Sequence, residues 1–402
     1  MKHTMRWFGP DDPVSLMDIR QAGCRGVVTA LHQIPVGDTW QPAEIKKRQQ
    51  LVEAGNSGYS PLYWDVVESL PVHEDIKKGR PARRIFIDRY IQSLRNLANS
   101  GIRTVCYNFM PVLDWSRTNV SYKLPDGSMT LRYVLADFAL FDLYILKRPD
   151  AEKDYDQPTR EAAYKRWKSA TRHELARLTD TILLGLPGTE EKFELAEFQG
   201  LLDAYRDVGE AGLRENLYHF LQEAGPAASE AGINLCIHPD DPPRPLLGLP
   251  RVVSTASDIS RLFSAYPHSS NGLTFCTGSL GVRPDNNLPQ MAETFASRIH
   301  FVHLRSTLRE QNPLDFHEAP HLQGDVDMYA IVKTLKKEEQ RRYAEGVQNA
   351  EIPMRPDHGF QMLDDLGKTT YPGYSAIGRL KGLAELRGLE LAVEKELLFQ
   401  SQ

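Results

Sequence analysis

The sequence predicts an α/β chain folded as a single (β/α)8 TIM barrel over residues 1–402, with a helical insertion at about residues 111–213 after the fourth strand. Three observations predict it. Short β-rich runs alternate with longer amphipathic stretches, the pattern of βα units around a parallel sheet. The strand-like runs number eight, the count that closes such a barrel. Several of them are apolar without alternation, as strands covered on both faces require.

The runs fall at 4–8, 26–31, 64–69, 104–109, 234–238, 273–277, 300–304 and 352–357. Pro353 and Pro356 each remove a ladder donor, so the last strand is expected to be very short, with Asp357 at or just past its end. Helices fill the gaps. The first, at 15–22, has Ser15 as N-cap and Gly23 as its stop. The second, at 42–54, opens on Pro42, where a missing N–H is harmless. The third, at 85–98, carries Ile87, Tyr90, Ile91, Leu94 and Leu97 on one stripe. A stretch at 214–231 is helical in pattern but is expected to break or kink at Gly225-Pro226. Further helices are expected at 256–264, 288–295, 326–343 and 375–391.

Between residues 110 and 213 no strand is expected. Helical patterns at 131–146, 160–168, 172–184 and 195–207 are punctuated by Pro125-Asp126-Gly127 and Pro187-Gly188. Loops at this end of a barrel build active sites, so the insertion reads as a lid or an oligomer contact; a separate helical domain is the competing reading. The chain is expected to assemble as a homo-oligomer, a dimer or larger.

Composition excludes several function classes. A net charge of −5 offers no electrostatic footprint for nucleic acid. No apolar run approaches the length of a membrane span, and the first residues lack the apolar core of a secretion signal. Cys24, Cys106, Cys236 and Cys276 lie far apart, which fits neither a disulfide framework nor a zinc finger. Free thiols suit a reducing compartment, and the cytoplasm is the expected location.

In such a barrel chemistry sits at the carboxyl ends of the strands. His238, Cys276, His303 and Asp357 close the fifth to eighth runs. Taken singly, each is more often a structural residue. Four of them at corresponding places on successive strands read instead as ligands to one divalent cation, and metal binding itself promotes deprotonation of the thiol. Two imidazoles and a thiolate also suit zinc. Cys106 and Cys236 read as small buried hydrophobes. The same barrel end carries His32, Glu68, His73, Asn108, Trp115, Asp240, Asp241, Arg244 and Arg305. Such a rim suits a small polyhydroxylated anion, with arginine for a carboxylate and His32, Asn108 and acids for hydroxyls. Trp115 on its own reads as packing. Pro372-Gly373 is a turn that leaves Tyr374 at the mouth, just before the last helix, and His358 stands beside Gly359. From residue type alone, both read first as structural.

Longer blocks are more specific. Arg6-Trp7-Phe8-Gly9-Pro10, Tyr107-Asn108-Phe109-Met110-Pro111-Val112-Leu113-Asp114-Trp115, His238-Pro239-Asp240-Asp241-Pro242-Pro243 and Cys276-Thr277-Gly278-Ser279 resemble the mannonate dehydratases. So do His303-Leu304-Arg305-Ser306, Arg355-Pro356-Asp357-His358-Gly359 and the run from Tyr374 to Gly382. The resemblance implies a barrel, a manganese or ferrous ion on the same quartet, and conversion of D-mannonate to 2-dehydro-3-deoxy-D-gluconate and water. It implies that His358 and Tyr374 are the acid and base, in an order left open, and that the insertion is of the Gram-negative type. His32, Asn108, Trp115 and Arg305 are the expected substrate contacts. A metal-dependent sugar isomerase or epimerase on the same barrel and a non-catalytic sugar-acid-binding regulator are the rival readings, since fold does not fix chemistry.

Overall fold

The computed structural model describes residues 1–184 and 194–400; the expected break at Pro187-Gly188 lies outside the described residues. The strands are β1 (Lys2–Arg6), β2 (Gly26–Thr29), β3 (Tyr63–Glu68), β4 (Thr104–Tyr107), β5 (Asn119–Lys123) and β6 (Met129–Tyr133). They continue with β7 (Asn234–Ile237), β8 (Asn271–Cys276), β9 (Ile299–His303), β10 (Ser306–Arg309), β11 (Phe316–Ala319) and β12 (Pro353–Arg355). The eight expected runs close a parallel barrel in the order β1-β12-β9-β8-β7-β4-β3-β2. β1 lies about two residues earlier than its apolar run suggested. Its ladder starts at Lys2 opposite Pro353, and the chain turns out after Arg6, with Phe8 N–H donating to Asp12 at 2.8 Å and Gly9 at φ 121°. β12 is three residues long, and Asp357 follows it in the left-handed region at φ 60°.

Two expectations need correction. The helix Gly209–Glu230 runs through Pro226 without a break. Proline deletes one helical hydrogen bond, at roughly 3 kcal/mol, but this helix buries Ala224, Gly225, Ala227 and Ala228. The ring of Tyr266 packs so near Gly225 that a Cβ there would lie 2.6 Å from it. Packing outweighs the lost bond. The insertion, too, is not wholly helical. β5 and β6 form a hairpin whose turn is Pro125-Asp126-Gly127, closed by Leu124 N–H to Ser128 O at 2.8 Å. With β10 and β11, a second hairpin the sequence did not suggest, they form an antiparallel sheet in the order β10-β11-β6-β5. Among its described residues the insertion also carries helices over Leu135–Leu140, Gln157–Ser169, Arg172–Leu183 and Leu195–Asp203. No described helix is long and apolar enough to cross a membrane.

This second sheet lies against the carboxyl end of the barrel. Met129 and Gln361 exchange backbone hydrogen bonds of 2.9 Å in both directions, which ties the insertion to the loop after Asp357. The last helix, Ala376–Gln400, presses on the same loop. A Cβ on Gly378 would fall 2.0 Å from Phe360 O, so glycine is the residue that permits this approach.

Side chains alternate along a strand, so residues two apart face the same way. Val28, Val66, Cys106, Cys236 and Phe301 form one buried cluster, and Thr274 Oγ1 donates to Cys106 Sγ at 3.3 Å. The two cysteines are packing residues, as expected. Two residues further along the same strands come Glu68, Asn108, His238, Cys276 and His303. An apolar layer is therefore the floor beneath the polar one.

Candidate active site

Strand register brings the metal-capable residues together. Cys276 pairs with His303 across β8 and β9, and His303 pairs with Arg355 across β9 and β12. The ligand atoms of His238, Cys276 and His303 all lie within 4.8 Å of one another. Asp357 Oδ2 stands 3.7 Å from Cys276 Sγ and 3.9 Å from His303 Nδ1. His238 Nδ1 is 2.7 Å from Pro239 O; a carbonyl only accepts, so Nδ1 carries the proton and Nε2 keeps its lone pair. His303 Nε2 is buried and faces Glu68 Oε1 at 3.3 Å. A thiol and two imidazoles within this compass, with the Asp357 carboxylate at their edge, fit one divalent cation.

Around them lies a buried mosaic of charge. Glu68 faces Arg6 at 3.2 Å and Arg355 at 2.8 Å. Arg355 also bonds Asp357 Oδ1. Arg305 reaches Asp357 Oδ2 at 2.5 Å, Asp241 at 2.5 Å, and Glu318. Arg117 bridges Asp241 at 2.7 Å and Glu318 at 3.1 Å. Four guanidiniums thus meet four carboxylates. Burial alone would raise the pKa of Glu68 and of Asp357, but Arg355, with its neighbours, outweighs it and holds both well below the usual carboxylate range. Burial likewise opposes ionisation of Glu318, and Arg305 and His358 reverse it. Paired in this way, buried charges remain charged.

His358 Nδ1 lies 3.0 Å from Glu318 Oε1. The Tyr374 ring meets the His358 ring edge-on at 5.3 Å, and Trp115 approaches it from 6.4 Å, also edge-on. Burial pushes the Tyr374 phenol up to about 12, against the pull of Arg355. One cavity is lined by Arg6, Glu68, Asn108, Trp115, His238, Arg305, Asp357, His358 and Tyr374, with Cys276 and His303 buried beside it.

Most of the expected site residues converge here, and some do not. Asn108 and Trp115 line the cavity. His32 does not. It is half-buried beside Phe8, ring to ring at 6.0 Å, and desolvation, with Arg6 and Arg48 nearby, lowers its pKa to about 3, so it is neutral. His73 caps a short helix, accepting from Asp75 N–H at 3.1 Å, and stacks on Phe86. Asp240 holds the Val253-Ser254 backbone and hydroxyl, and Arg244 reaches Leu314 O. Sequence reasoning missed Arg6, Arg117, Arg355 and Glu318. The one local signal for Glu318 is an acid in the short run Phe316-His317-Glu318-Ala319.

The charge mosaic predicts acid sensitivity. Burial raises the Asp241 pKa, but Arg117 and Arg305 outweigh it and bring it down to about 2. A folded-state pKa below the unfolded one stabilises the native protein fully above about pH 4, and this is lost as pH falls towards 2. The difference is worth on the order of 2 kcal/mol. In urea titrations, the stability gap between the parent and Asp241→Asn should narrow as pH is lowered through this window.

The family model described as D-mannonate dehydratase (UxuA) matches residues 1–400. The mannonate dehydratase of Chromohalobacter salexigens is 54% identical over 395 residues, 98% of this chain and 99% of that protein. That of Marinomonas sp. is 52% identical over 397 residues, 99% of this chain and 100% of the relative. The crystal structure of mannonate dehydratase from Streptococcus suis serotype 2 superposes with a TM-score of 0.75 at 32% identity, covering 99% of this chain and 94% of that one. With a match running essentially end to end, this chain belongs to the D-mannonate dehydratase family.

Proposed function

We propose that this hydro-lyase takes D-mannonate to 2-dehydro-3-deoxy-D-gluconate and water, with His238, Cys276, His303 and Asp357 holding a manganese or ferrous ion and His358 and Tyr374 moving the protons. The observation that carries the reading is the convergence of three ligand atoms within 4.8 Å beside a cavity that His358 and Tyr374 both line.

The proton on C2 of an aldonate is weakly acidic because it lies next to an anionic carboxylate. A bound divalent cation supplies Lewis-acid charge at that carboxylate. The protein supplies the proton transfers. In the neutral His358 ring, Nδ1–H donates to Glu318 at 3.0 Å, which leaves the Nε2 lone pair free to take the C2 proton. Tyr374, kept protonated by burial, is the group suited to give its proton to the departing C3 hydroxyl. Asn108 and Trp115 reach the sugar hydroxyls, and Arg305 fixes the carboxylates around them. On this assignment, Tyr374→Phe should lose dehydration by roughly 10²- to 10⁴-fold and still wash deuterium out of C2. Loss of both reactions together would reverse the two roles or defeat the assignment.

The deciding experiment is turnover of D-mannonate by chelator-stripped protein with manganese, ferrous iron or zinc restored one at a time. Activity that never depends on metal, or no keto-deoxy product with any of them, would sink the reading. The four cysteines are free and buried, which suits a reducing cytoplasm. The insertion shares a sheet with β10 and β11, which supports one catalytic unit over residues 1–402. A homo-oligomer is the expected assembly, to be read by light scattering.

A further inference from the structure

Three arginines line the cavity: Arg6, Arg305 and Arg355. Their hydrogen-bonding capacity is spent very differently. Every guanidinium nitrogen of Arg305 and Arg355 lies against a protein carboxylate, although Arg305 Nε meets Asp357 as an ion pair without hydrogen-bond geometry. Arg355 gives Nε and Nη2 to Glu68 and Nη1 to Asp357. Arg305 spans Asp357, Asp241 and Glu318. Arg6 makes one ion pair, Nη1 to Glu68 Oε2 at 3.2 Å. Among the described residues its Nε and Nη2 have no hydrogen-bond partner, although the side chain is only 2% exposed. Those two nitrogens share one edge of the guanidinium. That edge offers two parallel N–H donors, the fork that matches the two oxygens of a carboxylate.

The group is also held still. The Arg6 carbonyl accepts from Arg379 Nη1 at 2.7 Å, which pins the end of β1. The guanidinium lies over the Phe8 ring at 4.7 Å, and Phe8 in turn meets Tyr374 edge-on at 4.8 Å. Two buried, unpaired donors on a cation are costly in a folded protein unless something completes them. Trp115 Nε1, on the same cavity, is likewise buried without a hydrogen-bond partner among the described residues. Unmet donors of this kind describe a ligand that is anionic and rich in acceptors.

We infer that Arg6 is the residue by which this site selects a carboxylate: its Nε and Nη2 edge receives the two oxygens of the sugar acid, while Arg305 is a structural cation of the charge mosaic. The inference rests on the proposed sugar-acid reading of the site and names the residue that confers it.

The test uses the full-length, metal-loaded protein, with D-mannonate binding followed by calorimetry alongside turnover and metal analysis. Arg6→Gln is expected to weaken binding and raise KM on the order of 10- to 100-fold, with metal content unchanged and kcat within about threefold. Arg6→Lys keeps a charge for Glu68 but lacks the fork, and should recover little of the affinity; it decides the matter if Arg6→Gln does not fold. Affinities within about twofold of the parent in both variants, or a loss explained by missing metal, overturn the inference. Parent protein that binds D-mannonate without turning it over sinks the hydro-lyase reading, while the variant affinities still decide Arg6. No binding by the parent sinks both.

Discussion

Cys276→Ser should lose bound metal and D-mannonate turnover together. Cys276 is fully buried, ends β8 and pairs with His303, so serine fits the space and the backbone need not move. What changes is the donor. A thiol ionises readily on a cation and a hydroxyl does not, so one of the two anionic ligands is lost. Removing an outer partner of a metal ligand typically costs 10- to 100-fold, and losing a ligand itself should exceed this, with turnover falling by at least about 100-fold. Cys24→Ser is the control. Cys24 is buried in the core, where burial pushes its thiol up to about 12, and its replacement should leave metal content at the parent level. Elemental analysis of dialysed protein reads both. Full occupancy and parent turnover in Cys276→Ser would break the quartet.

The meeting of His238, Cys276 and His303 was legible in the sequence because it follows a rule of barrels: strands are apolar runs, and polar residues gather where they stop. Several of the eight runs carried that pattern. The partners of the quartet carried none. β10 and β11 are four residues each, and Leu308 within them is 40% exposed, so neither shows an apolar run or a clean alternation. They are strands because β6 pairs with β11 across a long loop, which no local window contains. Pro226 misled for the same reason, since its helix is held by Tyr266 and the core. The arginines are the sharpest case. Arg6, Arg305 and Arg355 look alike in the sequence, and Arg305 was singled out for the carboxylate. Which of them has donors to spare depends on acids placed by other strands: Glu68 is 287 residues from the Arg355 it binds, and Asp241 is 64 from Arg305.

Glu318→Ala should unfold the protein more easily and disable it at the same time. Glu318 receives Arg117 Nη2 at 3.1 Å, Arg305 Nη1, and His358 Nδ1 at 3.0 Å, and every one of these groups is buried. Alanine leaves two cations and an imidazole N–H facing one another without the charge that united them. Breaking a buried ion pair by removing one partner costs about 3–5 kcal/mol, because the remaining charge stays uncompensated. An exposed pair sets the scale. Arg25–Glu351, with side chains 61% and 37% exposed, should lose no more than about 1 kcal/mol on Glu351→Ala. Glu318→Gln separates stability from chemistry. It keeps an acceptor for His358 Nδ1–H, so the imidazole tautomer survives, but it removes the negative charge that stabilises the ring when Nε2 takes a proton. Its kcat should therefore fall on the order of 10- to 100-fold with KM nearly unchanged, while its urea midpoint stays closer to the parent than that of Glu318→Ala. Equal stability of Glu318→Ala and parent would mean that the mosaic is not interlocked. A Glu318→Gln enzyme with parent kcat would mean that the second sheet shapes the cavity without tuning its base.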